Sequence, residues 1–193
     1  MAGSWNVDVA VGKMPQKVAS AFASFNEKIV GAEYTPIAYL GSQIVNGTNH
    51  AVLAEQLVVN GKDTKNVVVL IFNEAIKSDE ITLINIERVV ESGGELGGVT
   101  VDVKTDIPED AKSVFDATIE RFVGSNVTPF ALLGTQIANG TNYIFAVEFT
   151  SVTRDPEKKV GIVVVNSNNH DNYAFTNLLN ANTQKVLEYA FTW

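Results

Sequence analysis

Gly31–Asn49 (GAEYTPIAYLGSQIVNGTN) recurs 93 positions later as Gly124–Asn142 (GSNVTPFALLGTQIANGTN), with 12 of 19 residues identical and no gap. Each copy carries a strand-like run that ends in an Asn-Gly pair, which is typical of a β-hairpin turn. A fixed internal period indicates a duplicated structural unit. The sequence therefore predicts one fold that occurs twice in the chain.

The repeat extends beyond these two stretches. The offset of 93 also pairs Pro15 with Pro108, Phe22 with Phe115, Glu55 with Glu148, Val67 with Val160 and Asn73 with Asn166. Between the copies, Ser92–Gly98 (SGGELGG) contains four glycines and interrupts the hydrophobic pattern, as a linker does. We expect two domains, 1–93 and 94–193, each of a usual domain size.

Each unit begins with a strand-like segment, Trp5–Val11 or Val99–Lys104, and continues into a helix. One face of an amphipathic helix then recurs every three or four positions: Val18, Phe22, Phe25 and Ile29 in the first unit, and Ala111, Phe115, Thr118 and Phe122 in the second. Asp106 and Glu109 have the spacing of a capping box, whereas Lys13, at the equivalent place, cannot cap. We therefore expect the second helix to have the firmer start.

Further strand-like segments follow each helix. In the first unit they are Thr35–Val45, Asn49–Val59, Val67–Asn73 and Ile81–Val90, with counterparts 93 residues later. No connection is long enough for a crossover helix, so consecutive strands must pair antiparallel. The predicted fold class is α+β, with one helix packed on a four- to five-stranded antiparallel sheet in each domain.

Some of the strands are apolar on both faces. A strand with one solvent-exposed face alternates apolar and polar residues. Val67–Phe72 (VVVLIF) and Val160–Val165 (VGIVVV) show no such alternation. We expect the other domain, or a second chain in a homodimer, to cover the second face, so that Leu57 or Val69 is buried outside its own helix–sheet core.

Composition excludes several classes of partner and site. The chain has 14 Lys and Arg against 22 Asp and Glu, a net charge of −8, which disfavours binding to nucleic acid or an anionic membrane. No apolar run approaches the ~20 residues of a membrane-spanning helix, and no signal peptide is visible, so we expect a cytoplasmic protein for the sequence as written. The chain has no cysteine, which excludes disulfides and a thiolate nucleophile and leaves the redox compartment open. We expect no cofactor and no metal.

The repeated hairpin turn resembles a known family motif. Gln43–His50 (QIVNGTNH) is similar to the Q-x-V-x-G turn of the cystatin and stefin family, and Gln136–Tyr143 (QIANGTNY) repeats it with Ala138 at the Val position. The order of elements is also similar, with a glycine-bearing N-terminal segment and a short strand before the helix. The resemblance implies two tandem cystatin-like domains.

Members of this family commonly inhibit papain-like cysteine proteases, and the resemblance implies the same function here. A trunk before the first strand, the Q-x-V-x-G turn (first turn) and a later hairpin loop (second turn) would together fill the protease cleft. The implied protease-binding residues are Gly3, Gln43, Ile44, Val45, Asn46, Gly47, Ala75 and Ile76 in the first unit, and Gly97, Gly98, Gln136, Ile137, Ala138, Asn139 and Gly140 in the second. We expect Gly47→Glu to abolish inhibition with little loss of stability, because the residue lies in a surface turn.

The second turn departs from the family pattern. Secreted cystatins carry a Pro-Trp pair there, which this chain lacks, and Asn73–Ser78 (NEAIKS) resembles only loosely the Leu-Pro loop of the intracellular branch. In the second unit, Asn166–Tyr173 (NSNNHDNY) is polar until its last residue. The first unit is therefore the better candidate inhibitor.

Other interpretations remain open at this stage. The Asn-Gly pairs also suit any two-residue type I′ hairpin turn, and a cystatin-like fold also serves as a non-inhibitory binding or assembly module for a protein or peptide. Enzymatic function is disfavoured, because the two histidines, His50 and His170, do not occupy equivalent positions in the repeats. Exchange of segments between molecules, by straightening of the first turn, would give a domain-swapped dimer.

Overall fold

The computed structural model describes residues 3–59, 61–62, 64–78, 80–93, 97–171 and 173–179. The chain divides into two units, Met1–Val89 and Val90–Trp193. The boundary that the sequence places near residue 94 lies outside the described residues. Each unit combines one helix with a five-stranded sheet, so the chain is of the α+β class.

The first unit follows the predicted order of elements. They are β1 (Trp5–Val11), α1 (Gln16–Lys28), β2 (Ala32–Val45), β3 (Gly47–Val58), β4 (Thr64–Glu74) and β5 (Ile81–Glu91). The strands lie in the sheet in the order in which they occur in the chain, and β1 to β4 pair antiparallel with their neighbours. The antiparallel pairing predicted from the short connections is confirmed.

The second unit repeats this arrangement. Its elements are β6 (Val99–Lys104), α2 (Glu109–Ile119), β7 (Ser125–Ile137), β8 (Thr141–Ser151), β9 (Lys158–Asn166) and β10 (Tyr173–Asn177). The strands again lie in chain order, and each pairs antiparallel with the next.

Each helix packs residues of its predicted stripe onto one face of its own sheet, but α2 ends at Ile119, so the predicted stripe residue Phe122 lies outside the helix. In the first unit, Val18 and Phe22 lie against a core that includes Phe72, and the rings of Phe22 and Phe72 are 6.1 Å apart. In the second, the rings of Phe115 and Phe145 are 4.9 Å apart in an edge-to-face arrangement. Burial of these large side chains stabilises the packing of the helix on the sheet.

The other face of the first sheet is buried as well. Side chains alternate between the faces of a strand, and Leu53, Val67 and Val69, which point away from the helix-side core, are at most 1% exposed. Leu57 is half-buried. The expectation that this face is shielded from solvent is confirmed at Leu53, Val67 and Val69.

The prediction of a capping box at the second helix is wrong. Pro15 and Pro108 occupy the N-cap positions, and neither helix has a side-chain cap hydrogen bond. Because α2 begins at Glu109, Asp106 lies two residues outside the cap and Glu109 is the first helical residue. Glu109 and Asp110 in the first turn instead interact favourably with the positive end of the helix dipole.

Equivalent glycines allow the first strand of each unit to approach the second. The pairing of β1 with β2 and of β6 with β7 is interrupted by register shifts close to Gly41 and Gly134. A Cβ at Gly41 would collide with the carbonyl oxygen of Asn6, and one at Gly134 would collide with that of Thr100. These two positions therefore need glycine for the strands to pair.

We predict that Gly134→Ala destabilises the protein by about 2 kcal/mol or more, because the added methyl group forces the backbones of β6 and β7 apart. Urea unfolding followed by circular dichroism measures the change. Gly12→Ala is the matched control, because Gly12 has a φ of 65° and no atom near its Cβ position. The control should lose only about 1 kcal/mol, from the backbone conformation alone. Equal losses in the two variants would contradict the role assigned to Gly134.

Candidate functional site

The first unit brings the trunk and the first turn together at one end of its sheet. The amide of Gly3 donates a hydrogen bond of 2.8 Å to the carbonyl oxygen of Ile44. The side chain of Gln43 donates a second bond, also of 2.8 Å, from Nε2 to the carbonyl oxygen of Gly3. Backbone and side chain thus hold the trunk alongside the end of β2.

The second turn of the first unit lies against the first turn. Thr48, just after the first turn, pairs with Glu74 at the end of β4. Gly47 is buried, and a Cβ there would collide with the carbonyl oxygen of Glu74. Ala75 and Ile76 follow Glu74 directly, so the trunk and both turns meet in one place. We call this part of each unit its loop end.

The second unit has an equivalent loop end. Gln136 donates a 2.8 Å bond from Nε2 to the carbonyl oxygen of Gly97. The first and second turns are joined by Thr141, whose amide donates to Ser167 Oγ and whose carbonyl oxygen accepts from the amide of Ser167, both at 2.9 Å. Asn168 Nδ2 also donates to the carbonyl oxygen of Asn139 at 3.2 Å.

The sequence-predicted site residues differ in exposure. Ile44, Ile76 and Ile137 are 74%, 70% and 71% exposed. Gly3, Asn46, Ala75, Gly97 and Asn139 are also exposed, whereas Gln43, Val45, Gly98, Gln136, Ala138 and Gly140 are half-buried. The first loop end therefore presents two exposed isoleucines, one in each turn. The second unit presents one, beside a second turn of polar residues.

The first turns of the two units differ in backbone conformation. In the first unit, Gly47 has a φ of 112°, but the φ of Asn46 is not positive. Asn139 is the only non-glycine residue with a positive φ in the described part of the chain. A type I′ turn needs positive φ at both central residues, and that interpretation is therefore wrong for the first unit. In the second unit, Asn139 and Gly140 have φ values of 40° and 108°, and both are positive, as a type I′ turn requires.

The expectation that Gly47→Glu leaves the fold intact is also wrong. A surface turn tolerates a new side chain only where there is space for its Cβ, and at Gly47 the backbone of Glu74 occupies that space. Gly140 is less restricted, because its nearest neighbours are side-chain atoms of Ser167 and Asn168, at 2.8 Å from the Cβ position. The exposed isoleucines are better sites for testing function by mutation.

One pair of asparagines connects the strands at each loop end. The sequence did not predict either pair as part of the site. In the first unit, Asn49 Nδ2 donates to Gln43 Oε1 at 3.2 Å, and Asn73 Nδ2 donates to Asn49 Oδ1 at 2.8 Å. Asn142 and Asn166 make the equivalent bonds in the second unit, at 2.9 and 2.8 Å. The signal that could have identified them is their repetition at the same offset of 93.

His50 lies in a polar cluster found only in the first unit. It is 8% exposed, its Nδ1 is 2.9 Å from the hydroxyl of Tyr39, and its Nε2 is 3.3 Å from Glu74 Oε2. Burial raises the pKa of Tyr39. Leu132, Tyr143 and Ser167 stand at the corresponding places in the second unit. The cluster links β2 and β3 to the start of the second turn, and its imidazole is enclosed rather than open to a substrate.

Protein-family models and curated proteins give no family assignment for this chain. No protein-family model matches the sequence, and no curated protein matches it. Within the described ranges, no helix is long and apolar enough to cross a bilayer. The same residues contain no group of three or more His, Asp or Glu side chains placed to hold a metal ion.

Glu74 gives a direct test of the electrostatics at the first loop end. Hydrogen bonds from Lys17 Nζ, at 3.0 Å, and from His50 hold the pKa of Glu74 below its ordinary value of 4.5. We predict that Lys17→Met raises this pKa, as measured by NMR titration of the carboxyl carbon. Lys112→Met, which removes the partner of Asp116 instead, should leave it unchanged.

The sign of the associated stability change follows from linkage. Because folding lowers the pKa of Glu74, its carboxylate stabilises the fold above about pH 4.5, and this contribution is lost as the pH falls through the lowered value. Lys17→Met should therefore reduce stability at neutral pH more than at acidic pH. The same pKa in Lys17→Met and wild type would contradict the assignment.

Proposed function

We propose that the chain consists of two tandem cystatin-like domains and inhibits papain-like cysteine proteases by placing a loop end in the active-site cleft. The observation that carries the proposal is the meeting of the trunk and two turns at one end of each sheet, with exposed isoleucines in the turns of the first unit. A cleft is filled by a narrow, mostly apolar projection, and the first loop end has this character. In this proposal the chain has no catalytic step of its own.

The rigidity of the loop end supports binding without cleavage. The trunk is hydrogen-bonded to Ile44, the first turn packs on Glu74, and β3 pairs with both neighbouring strands. Segments that are already ordered lose little conformational entropy on binding. A turn that is fixed on both sides also resists the extended conformation in which a protease cleaves a peptide bond.

The first unit is the better candidate for the inhibitory one. Its second turn presents Ile76, which is 70% exposed. The second turn of the second unit carries polar side chains, and Asp171 within it pairs with the guanidinium of Arg121. Burial of an apolar side chain in a cleft gains free energy from the hydrophobic effect, whereas burial of an ion pair requires its desolvation.

A second candidate function rests on four exposed valines at the opposite end of the sheets. Val30 and Val123, at the repeat offset, are 95% and 98% exposed, and Val59 and Val152 are 53% and 65% exposed. The amides of Val59 and Val152 donate to the carbonyl oxygens of Gly31 and Gly124, at 2.9 and 3.0 Å. Each unit thus holds two exposed valines close together, which favours a non-inhibitory module that binds a protein or peptide at this end.

We predict that the chain inhibits papain in a titration and that Ile44→Glu weakens the inhibition at least about tenfold. A glutamate at this exposed position would carry a charge into an apolar cleft, and a tenfold loss corresponds to ~1.4 kcal/mol of binding free energy. The exposure of Ile44 means that the substitution should leave the unfolding midpoint within error of wild type.

Val30→Glu is the matched control for this variant. It places the same charge on another exposed apolar residue, just before the opposite end of β2, so the inhibition should remain at the wild-type level. Ile137→Glu should have a smaller effect than Ile44→Glu, because the first unit is the proposed inhibitor. No inhibition by the wild-type chain, or an equal loss in Val30→Glu, would contradict the proposed function and favour the binding module.

A further inference from the structure

Three amide side chains form a continuous chain of hydrogen bonds across the first loop end. Asn73 on β4 donates to Asn49 on β3, Asn49 donates to Gln43 on β2, and Gln43 donates to the carbonyl oxygen of Gly3 in the trunk. All of the donors are side-chain amino groups. The chain therefore connects the strand that leads into the second turn with both strands of the first turn and with the trunk.

The polarity of this amide chain is fixed at one end. A backbone carbonyl oxygen can only accept, so Gln43 must direct Nε2 at Gly3 and leave Oε1 for Asn49. Asn49 must then direct Nδ2 at Gln43 and leave Oδ1 for Asn73. Only one orientation of each amide satisfies all three bonds.

The second unit contains the same amide chain with the same polarity. Asn166 donates to Asn142, Asn142 to Gln136, and Gln136 to the carbonyl oxygen of Gly97. The three amide residues are each displaced by 93 positions, but Gly97 is 94 positions after Gly3. The contact between glutamine and trunk is thus present in both units despite a one-residue difference in spacing between the trunk and the glutamine.

The amide chain of the second unit extends further into its second turn. Asn166 Oδ1 accepts hydrogen bonds from the backbone amides of Asn168 and Asn169, at 2.8 and 3.0 Å, and Asn166 Nδ2 also donates to the carbonyl oxygen of Ala138 at 3.2 Å. Asn142 and Asn166 are each 6% exposed. Loss of one buried amide would leave a polar atom of its buried partner without a hydrogen bond, which is costly.

The geometry points to a positioning role for these amides: Gln43, Asn49 and Asn73 hold the trunk and both turns of the first unit in one arrangement before a partner binds, and Gln136, Asn142 and Asn166 do so in the second. Gly3 ties the trunk to β2 through two hydrogen bonds, one donated by its own amide to Ile44 and one accepted from Gln43. The effect on inhibition rests on the proposed function, but the effect on trunk order does not.

Gln43→Glu tests this role, because it changes one atom of the amide chain and keeps the shape of the side chain. The carboxylate still accepts from Asn49, but it cannot donate to the carbonyl oxygen of Gly3. We expect amide hydrogen exchange in residues 3–7 to become at least about tenfold faster, with exchange in α1 unchanged. Association with papain should slow by a similar factor, since the trunk must be ordered during binding.

Two variants serve as matched controls. Gln136→Glu makes the same change in the second unit, so it should accelerate exchange in residues 97–101 and leave residues 3–7 as in wild type. Asn85→Asp adds the same charge at an exposed position in β5 and should change neither region. Asn49→Asp removes the donor to Gln43 Oε1 and places there a carboxylate that competes with the carbonyl oxygen of Gly3 for Gln43 Nε2, so it should also make exchange in residues 3–7 faster.

The outcomes separate this inference from the proposed function. Unchanged exchange in residues 3–7 of Gln43→Glu, or equal acceleration in the trunk and α1, would overturn the positioning role whether or not the chain inhibits papain. Faster trunk exchange with no inhibition by the wild-type chain would retain the positioning role and refute the proposed function. Faster trunk exchange together with slower association with papain would support both.

Discussion

The carbonyl oxygen of the trunk glycine is the constraint on which each loop end depends. It accepts hydrogen bonds and cannot donate them, so it determines the orientation of the glutamine beside it and, through that residue, of two asparagines on the next strands. One backbone oxygen thereby determines the orientation of amide side chains on three strands. The trunk, which precedes the first strand, becomes part of the same surface as the two turns.

This constraint can act only because the sheet brings the trunk close enough. Gly41 and Gly134 leave the space in which β1 and β6 pair with the long second strand of each unit. The helix then fixes the sheet from one face through aromatic contacts, and the bonded strands carry the turns to a common end. The units share this framework and differ at the tips, where an exposed isoleucine in one second turn is replaced by asparagines in the other.

The sequence alone predicts the features that depend on local pattern. The duplication, the helical stripes of Val18 and Phe115 and the antiparallel order of strands follow from periodicity and short connections, and the structure confirms them. Features that depend on contact between distant segments were missed or mistaken. The conflict at Gly47 comes from β4, which lies 27 residues further along the chain at Glu74. The amide chains required the register of three strands, which sequence does not give.

Amide hydrogen exchange of the chain in the presence of papain tests the proposed inhibition most directly, because it maps any contact surface without a mutation. The account predicts slower exchange, relative to the free chain, in residues 3–7, 44–48 and 74–78, with helix α1 and the far-end residues Val30 and Val59 unchanged. Slower exchange confined to the far end, or no slowing at any loop-end residue at saturating papain, would contradict the account.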